Sequence, residues 1–136
     1  MNWFESEGTL IYDPHGRAAK SRQKVSEPWW LLLMCDNGIV DYYNYWLKKR
    51  GIYTFKYSLY GSHVSIIKGE EPPNKNVWKK YHRKKITFRY NNFILDNGIH
   101  WWIWARSKVF REIRGELGLS RKPNFKFHLT IGRKIS

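Results

Sequence analysis

Cysteine is almost missing from this chain: Cys35 is the single one among 136 residues. No disulfide forms within such a molecule, and no group of cysteine and histidine has the spacing of a zinc site. Long apolar runs are missing as well. The stretch from Trp29 to Cys35 is far too short to cross a bilayer, which takes about 20 residues. The first residues, Met1 to Glu7, lack the basic start and apolar core of a secretion signal. There is no glycine-rich loop of the kind that cradles nucleotide phosphates. Acidic residues are scarce, 11 against 25 lysines and arginines, for a formal net charge of +14. These absences exclude a disulfide-stapled secreted scaffold, a helical membrane protein and a P-loop nucleotide hydrolase. The expectation is a soluble, cytoplasmic chain with no membrane partner.

What is present is enough for a packed core. Hydrophobic residues make up 42% and aromatic residues 18%, with eight tryptophans. A chain of this length forms one domain, taken as residues 1–136, and buries its core without staples. The charge imbalance points to a polyanionic partner such as RNA, DNA or a nucleotide. No obligate protein partner is implied.

Read in order, Gly8–Tyr12 is a short strand ended by the turn residues Asp13-Pro14-His15-Gly16. The basic, apolar-poor segment from Arg17 to Pro28 is expected as a surface loop. Trp29–Cys35 is expected as a strand covered on both faces. Asp36 or Asn37 caps a helix running to about Arg50, with Ile39, Tyr43, Trp46, Leu47 and Arg50 at helical spacing and Gly51 as its stop. Tyr53 to Tyr60 alternates loosely as a strand, and a short helix follows Pro73. Lys84 to Tyr90 alternates as a half-exposed strand. Phe93–Leu95 and His100–Ala105 flank Asp96-Asn97-Gly98 as a hairpin. Ser107 caps a second helix with Val109, Phe110, Ile113 and Leu117 on its buried side, and Pro123 blocks its continuation. The layout is α+β.

Two tetrapeptides stand out: His63-Val64-Ser65-Ile66 and His128-Leu129-Thr130-Ile131, 65 residues apart. Each lies in a β-favouring context, and each follows a helix. Side chains alternate along a strand, so His63 and Ser65 share one face, as do His128 and Thr130, each backed by apolar neighbours. A phosphodiester between two such strands meets two imidazoles that titrate near neutrality, one to accept a proton and one to donate. The hydroxyls of Ser65 and Thr130 are placed to hydrogen-bond the non-bridging oxygens and stabilise charge that builds on phosphorus. Such a reaction calls for no metal or other cofactor. His15, His82 and His100 have no hydroxyl at that spacing.

The paired pattern resembles the signature of the 2H phosphoesterase superfamily, the LigT-like phosphodiesterases: histidine, apolar, threonine or serine, apolar, occurring twice. Both copies fit it. The resemblance implies a bilobal fold of two antiparallel β-sheets with outer helices, related by a pseudo-twofold axis and facing each other across a cleft. It also implies metal-independent cleavage of cyclic phosphates or RNA-like diesters. Gly8–Tyr12, Pro28–Cys35 and Arg121–Arg133 are similar to small phage-type members, described as RNA-repair-like, among which are enzymes that destroy cyclic oligonucleotide alarm signals (anti-CBASS phosphodiesterases). The substrates left open are a cyclic oligonucleotide or short RNA cut at 3′–5′ bonds, and RNA 2′,3′-cyclic phosphate or 2′–5′ ends. A basic RNA-binding module without catalysis is the alternative from another class.

Five further positions carry expectations. Strict alternation puts Lys68 and Arg133 on the apolar face, away from the cleft, and Gly132 on the histidine face beside Thr130. Tyr12 and Trp78 are candidate platforms for stacking a substrate base.

Overall fold

The structure, a computed structural model, describes residues 2–14, 28–55 and 61–135. Residues 15–27, most of the expected basic loop, and residues 56–60 of the expected Tyr53–Tyr60 strand lie outside that description. The described elements are β1 (Trp3–Tyr12), β2 (Trp30–Met34), α1 (Asn37–Lys49), β3 (Thr54–Phe55), β4 (His63–Lys68), β5 (Lys85–Asn91), β6 (Leu95–Asp96), β7 (His100–Arg106), α2 (Lys108–Glu116) and β8 (His128–Lys134). The chain is α+β. All eight strands join one antiparallel sheet in the order β3-β8-β4-β2-β1-β5-β7-β6, and an added β8–β7 pairing closes it into a barrel. One continuous sheet therefore stands where two were expected. The link between β4 and β8 is narrow, the pair Val64↔Leu129.

The helices form where capping chemistry allows. The Asp36 carboxylate accepts from the Gly38 N–H at 2.8 Å, and Lys48 and Lys49 sit in the last turn of α1, against the negative end of its dipole. Gly51 ends it at φ 79°, a conformation that costs glycine little. Ser107 accepts from Val109 N–H at 3.2 Å to start α2. α1 buries Ile39, Val40, Tyr43, Asn44 and Leu47. Trp46, expected in that stripe, is 45% exposed, because the buried arc falls on the neighbouring positions 40 and 44 instead. β1 reaches back to Trp3, five residues before the expected start, since β5 pairs with it from Trp3↔Asn91 to Thr9↔Lys85. Backbone pairing, not apolar alternation, makes that extension. After Pro73 a single 3₁₀ turn, Lys75–Val77, replaces the expected short helix.

Each strand has a helix-side face and an opposite one. Leu10, Leu31, Leu33, Val64, Ile66, Ile103, Leu129 and Ile131 join Val40, Leu47, Phe110 and Ile113 of the helices in one core. α1 packs on β8 and α2 on β4, so each helix backs a histidine strand. Val64 and Leu129 are fully buried, which fixes the opposite faces of β4 and β8 for the histidines. Among the described residues, no helix is long and apolar enough to cross a membrane.

Candidate active site

The two motifs lie side by side. The strands touch at Val64↔Leu129, so His63 and Ser65 flank the contact on β4 and His128 and Thr130 flank it on β8, on the face opposite the buried pair. The two imidazoles thus lie on one face of neighbouring strands. The positive charge of His128 is felt at His63, which fits that proximity.

Both rings are held the same way. His63 Nδ1 lies 2.8 Å from the Gly61 carbonyl, and His128 Nδ1 lies 3.0 Å from the Lys126 carbonyl. A carbonyl only accepts, so Nδ1 carries the hydrogen in both, and Nε2 is the nitrogen that gains or loses a proton. Gly61, at φ 74°, turns its carbonyl into that position. Burial holds the His63 imidazole below the usual histidine range. The bond to Gly61 offsets this in part, and the charges of Lys68 and His128 push it further down. These effects favour the neutral form of His63.

Trp30 ties the first motif together. Its Nε1–H donates to Ser65 Oγ at 3.0 Å, its ring meets the His63 ring edge-on at 5.8 Å, and Lys68 Nζ lies 4.7 Å over it. Ser65 Oγ uses a lone pair on Trp30, so its own O–H remains a donor.

Lys68 thus stands on the histidine face, contrary to strict alternation, and the cause is a β-bulge. On β2, Leu32 pairs with Ser65 but Leu31 with Ile67, leaving Ile66 without a partner. Ile66 and Ile67 both turn inward, fully buried, and the next residue, Lys68, emerges on the side of Ser65. The second motif repeats this residue for residue. Trp102 pairs with Thr130 and Trp101 with Gly132, leaving Ile131 unpaired and bringing Arg133 out beside Thr130. Gly132, expected on the histidine face, instead turns to the helix side, where a Cβ would lie within 3 Å of the Thr54 side chain.

A bulge leaves a carbonyl to satisfy, and each is satisfied by a buried polar side chain of the helix behind it. Arg114 of α2, fully buried, donates to the Ile66 carbonyl at 3.0 Å. Asn44 of α1 donates to the Ile131 carbonyl at 2.9 Å. Arg114 also holds the Ser120 carbonyl and a two-point pair with Glu70 at 2.7 and 2.8 Å. Asn44 also donates to Val40 and accepts from the Thr54 hydroxyl. The two halves, β1-β2-α1-β4 and β5-β7-α2-β8, share strand pairing, bulge position and the device that pins the bulge.

The structure does not bring Tyr12 or Trp78 to this site. Tyr12 has the parity of Leu10, pairs with Leu31 and is 2% exposed in the core, so no base can stack on it. Trp78 packs edge-on against Tyr12 at 5.0 Å and donates to Asp13 at 3.1 Å, which places it on the same helix side. Residues that sequence reasoning missed are Trp30, Arg114 and Asn44, together with the side of Lys68 and Arg133. Among the described residues, no group of three or more His, Cys, Asp and Glu side chains gathers in a way that could hold a metal ion.

No family model, curated protein or solved structure matches this chain. The likeness to 2H phosphoesterases therefore rests on the paired motif.

Proposed function

We propose that this chain is a phosphodiesterase acting on RNA-like or cyclic oligonucleotide substrates, with the halves β1-β2-β4 and β5-β7-β8 as the lobes of a 2H-type fold. The observation that carries the reading is the facing pair of histidines, each held through Nδ1 by a carbonyl two residues upstream and flanked by a hydroxyl. A scissile phosphate over the Val64↔Leu129 pair has an imidazole at either end. His63 Nε2 takes the proton of the attacking hydroxyl, a ribose 2′-OH or water. The new P–O bond forms, the opposite P–O bond breaks, and His128 Nε2–H gives its proton to the departing oxygen. Attack by a 2′-OH yields a cyclic phosphate and a 5′-hydroxyl, and attack by water yields a phosphomonoester. Ser65 and Thr130 donate to the non-bridging oxygens, and Lys68 and Arg133 bring positive charge to the same face. Each proton transfer contributes roughly 10²–10⁴-fold.

The preferred substrate is a cyclic oligonucleotide signal, in the setting of a phage protein that removes a host alarm. A second reading, processing of RNA 2′,3′-cyclic phosphate or 2′–5′ ends, is favoured by the net charge of +14, more than a small ring needs. Incubation with cyclic dinucleotides, cyclic trinucleotides and cyclic-phosphate-ended RNA in the presence of chelator, followed by product analysis, separates them. Turnover of one class identifies the substrate. No turnover of any leaves a basic RNA-binding module without catalysis and overturns the proposal.

A further inference from the structure

The surface beside His128 does not end at the catalytic pair. Trp104 is paired with His128, and Lys126 Nζ lies 5.2 Å over its ring. Next to Trp104 a cavity of about 350 Å³ opens between Trp3, Phe125 and Phe127. A second, of about 740 Å³, shares Arg111, Arg121 and Lys122 with the first and adds Arg89 and Arg106. Arg89 and Arg106 are partners on the β5–β7 ladder, and Arg106 has the parity of Trp104, whereas Arg111 belongs to α2, so the trough runs from the histidine face around the end of β7 to α2. The carboxylates on its wall are Glu5 and Glu112, and Glu112 is engaged by Lys108 at 3.9 Å. Among the described residues, Arg89, Arg111, Arg121 and Lys122 form no ion pair within 4 Å.

Two details show a trough shaped to hold these groups. Arg121 lies across α2 at Gly115, where a Cβ would come within 2.6 Å of its Nε. The helix accepts glycine, a poor helix former, and the arginine takes the space. The Arg106 guanidinium is stacked 3.9 Å over the Trp3 ring, a flat cationic surface at the trough's edge. Aromatic rings at one end of a groove and cations along the rest suit an unpaired nucleic-acid strand: phosphates meet the cations and bases stack on the rings.

We infer that this trough binds a single-stranded oligonucleotide and leads it toward His128. The inference favours the second, RNA reading of the phosphodiesterase over a small cyclic nucleotide, and it rests on the phosphodiester reading only for where the strand points. The test is fluorescence anisotropy with labelled oligothymidylates of two, six and twelve nucleotides, titrated over 0.05–0.3 M salt. Wild-type affinity is expected to rise from two to six nucleotides. In R111Q/R121Q the slope of log affinity against log salt is expected to flatten by about 1.4, and affinity at 0.1 M salt to fall about 25-fold for the longer strands. R111K/R121K, which keeps the charge, is expected to retain most of the slope. K48Q/K49Q, which removes the same charge from α1, is expected to change far less. Binding that ignores length, an unchanged slope in R111Q/R121Q, or an equal loss in the α1 control overturns the inference. Trough binding without turnover of any diester sinks the proposed chemistry alone, and turnover without trough binding sinks the trough alone.

Discussion

Asn44→Asp is the sharpest probe of how the site is held. The substitution keeps the side chain's size and its acceptor for the Thr54 hydroxyl, but removes the amide that donates at 2.9 Å to both Val40 and Ile131 carbonyls. The Ile131 carbonyl, in the bulge beneath Thr130, is left buried without a donor and faces a carboxylate. An unsatisfied buried group costs about 1–3 kcal/mol, against about 5–15 kcal/mol for the whole domain. A loss near 2 kcal/mol lowers Tm by roughly 6–12 °C in a domain of this size. A second effect falls on the site. Without its pin, β8 gains by relaxing toward regular alternation, which would turn Arg133 to the helix side and Gly132 toward substrate. Asn44→Asp is therefore expected to unfold at lower temperature and to raise KM several-fold, as measured by a thermal melt and steady-state kinetics on the substrate found. Asn44→Ala, which also strands the Thr54 hydroxyl, is expected to be at least as damaged. An Asn44→Asp protein with wild-type Tm and KM would refute the pinning of the bulge.

The remaining predictions concern charge and packing. The charge of Lys68 lowers His63, so Lys68→Met is expected to move the acid limb of the kcat/KM profile to higher pH, toward the ordinary histidine value of about 6.5. A limb that stays put, or moves down, contradicts the assignment of His63 as the base. Because folding lowers His63, the unfolded chain binds the extra proton more readily. Stability from this group is present above about pH 6.5 and is lost as pH falls toward the folded value, and His63→Gln is expected to remove that dependence from urea melts. Tyr12 is packed in the core, so Tyr12→Ala is expected to cost about 3–5 kcal/mol of stability. Tyr12→Phe is expected to leave KM unchanged, and a raised KM in Tyr12→Phe would return it to the substrate.

Much of the architecture was legible because it depends on short-range chemistry. Asp36 and Ser107 cap, Gly51 and Gly118 stop, and the two tetrapeptides alternate as strands must. What strict alternation missed was the bulge, although the chain carries its trace. Ile66-Ile67 and Ile131-Gly132 each place two inward residues in succession before a cation, a break in period that a strand tolerates only where a residue is left out of the ladder. Arg114 sits within the arc of Phe110, Ile113 and Leu117 and passed unseen because its charge argued for the surface; its partners, Glu70 and the Ile66 carbonyl, come from 44 and 48 residues away. Asn44 is hidden for the same reason, since its partner Ile131 is 87 residues distant. Tyr12 was misread because nothing in five residues of sequence shows which face of β1 the helices cover. The trough beside Trp104 is assembled from β1, β5, β7, α2 and the segment before β8, a juxtaposition that only the folded chain displays.

The central claim is that two imidazoles exchange protons with one phosphodiester. It is tested most directly by single-turnover rates for His63→Ala and His128→Ala on the substrate that wild type cleaves, with affinity measured alongside. The expected result is a fall of about 10²–10⁴-fold in rate for each variant with substrate affinity largely kept. Cleavage at the wild-type rate by either variant would contradict the claim.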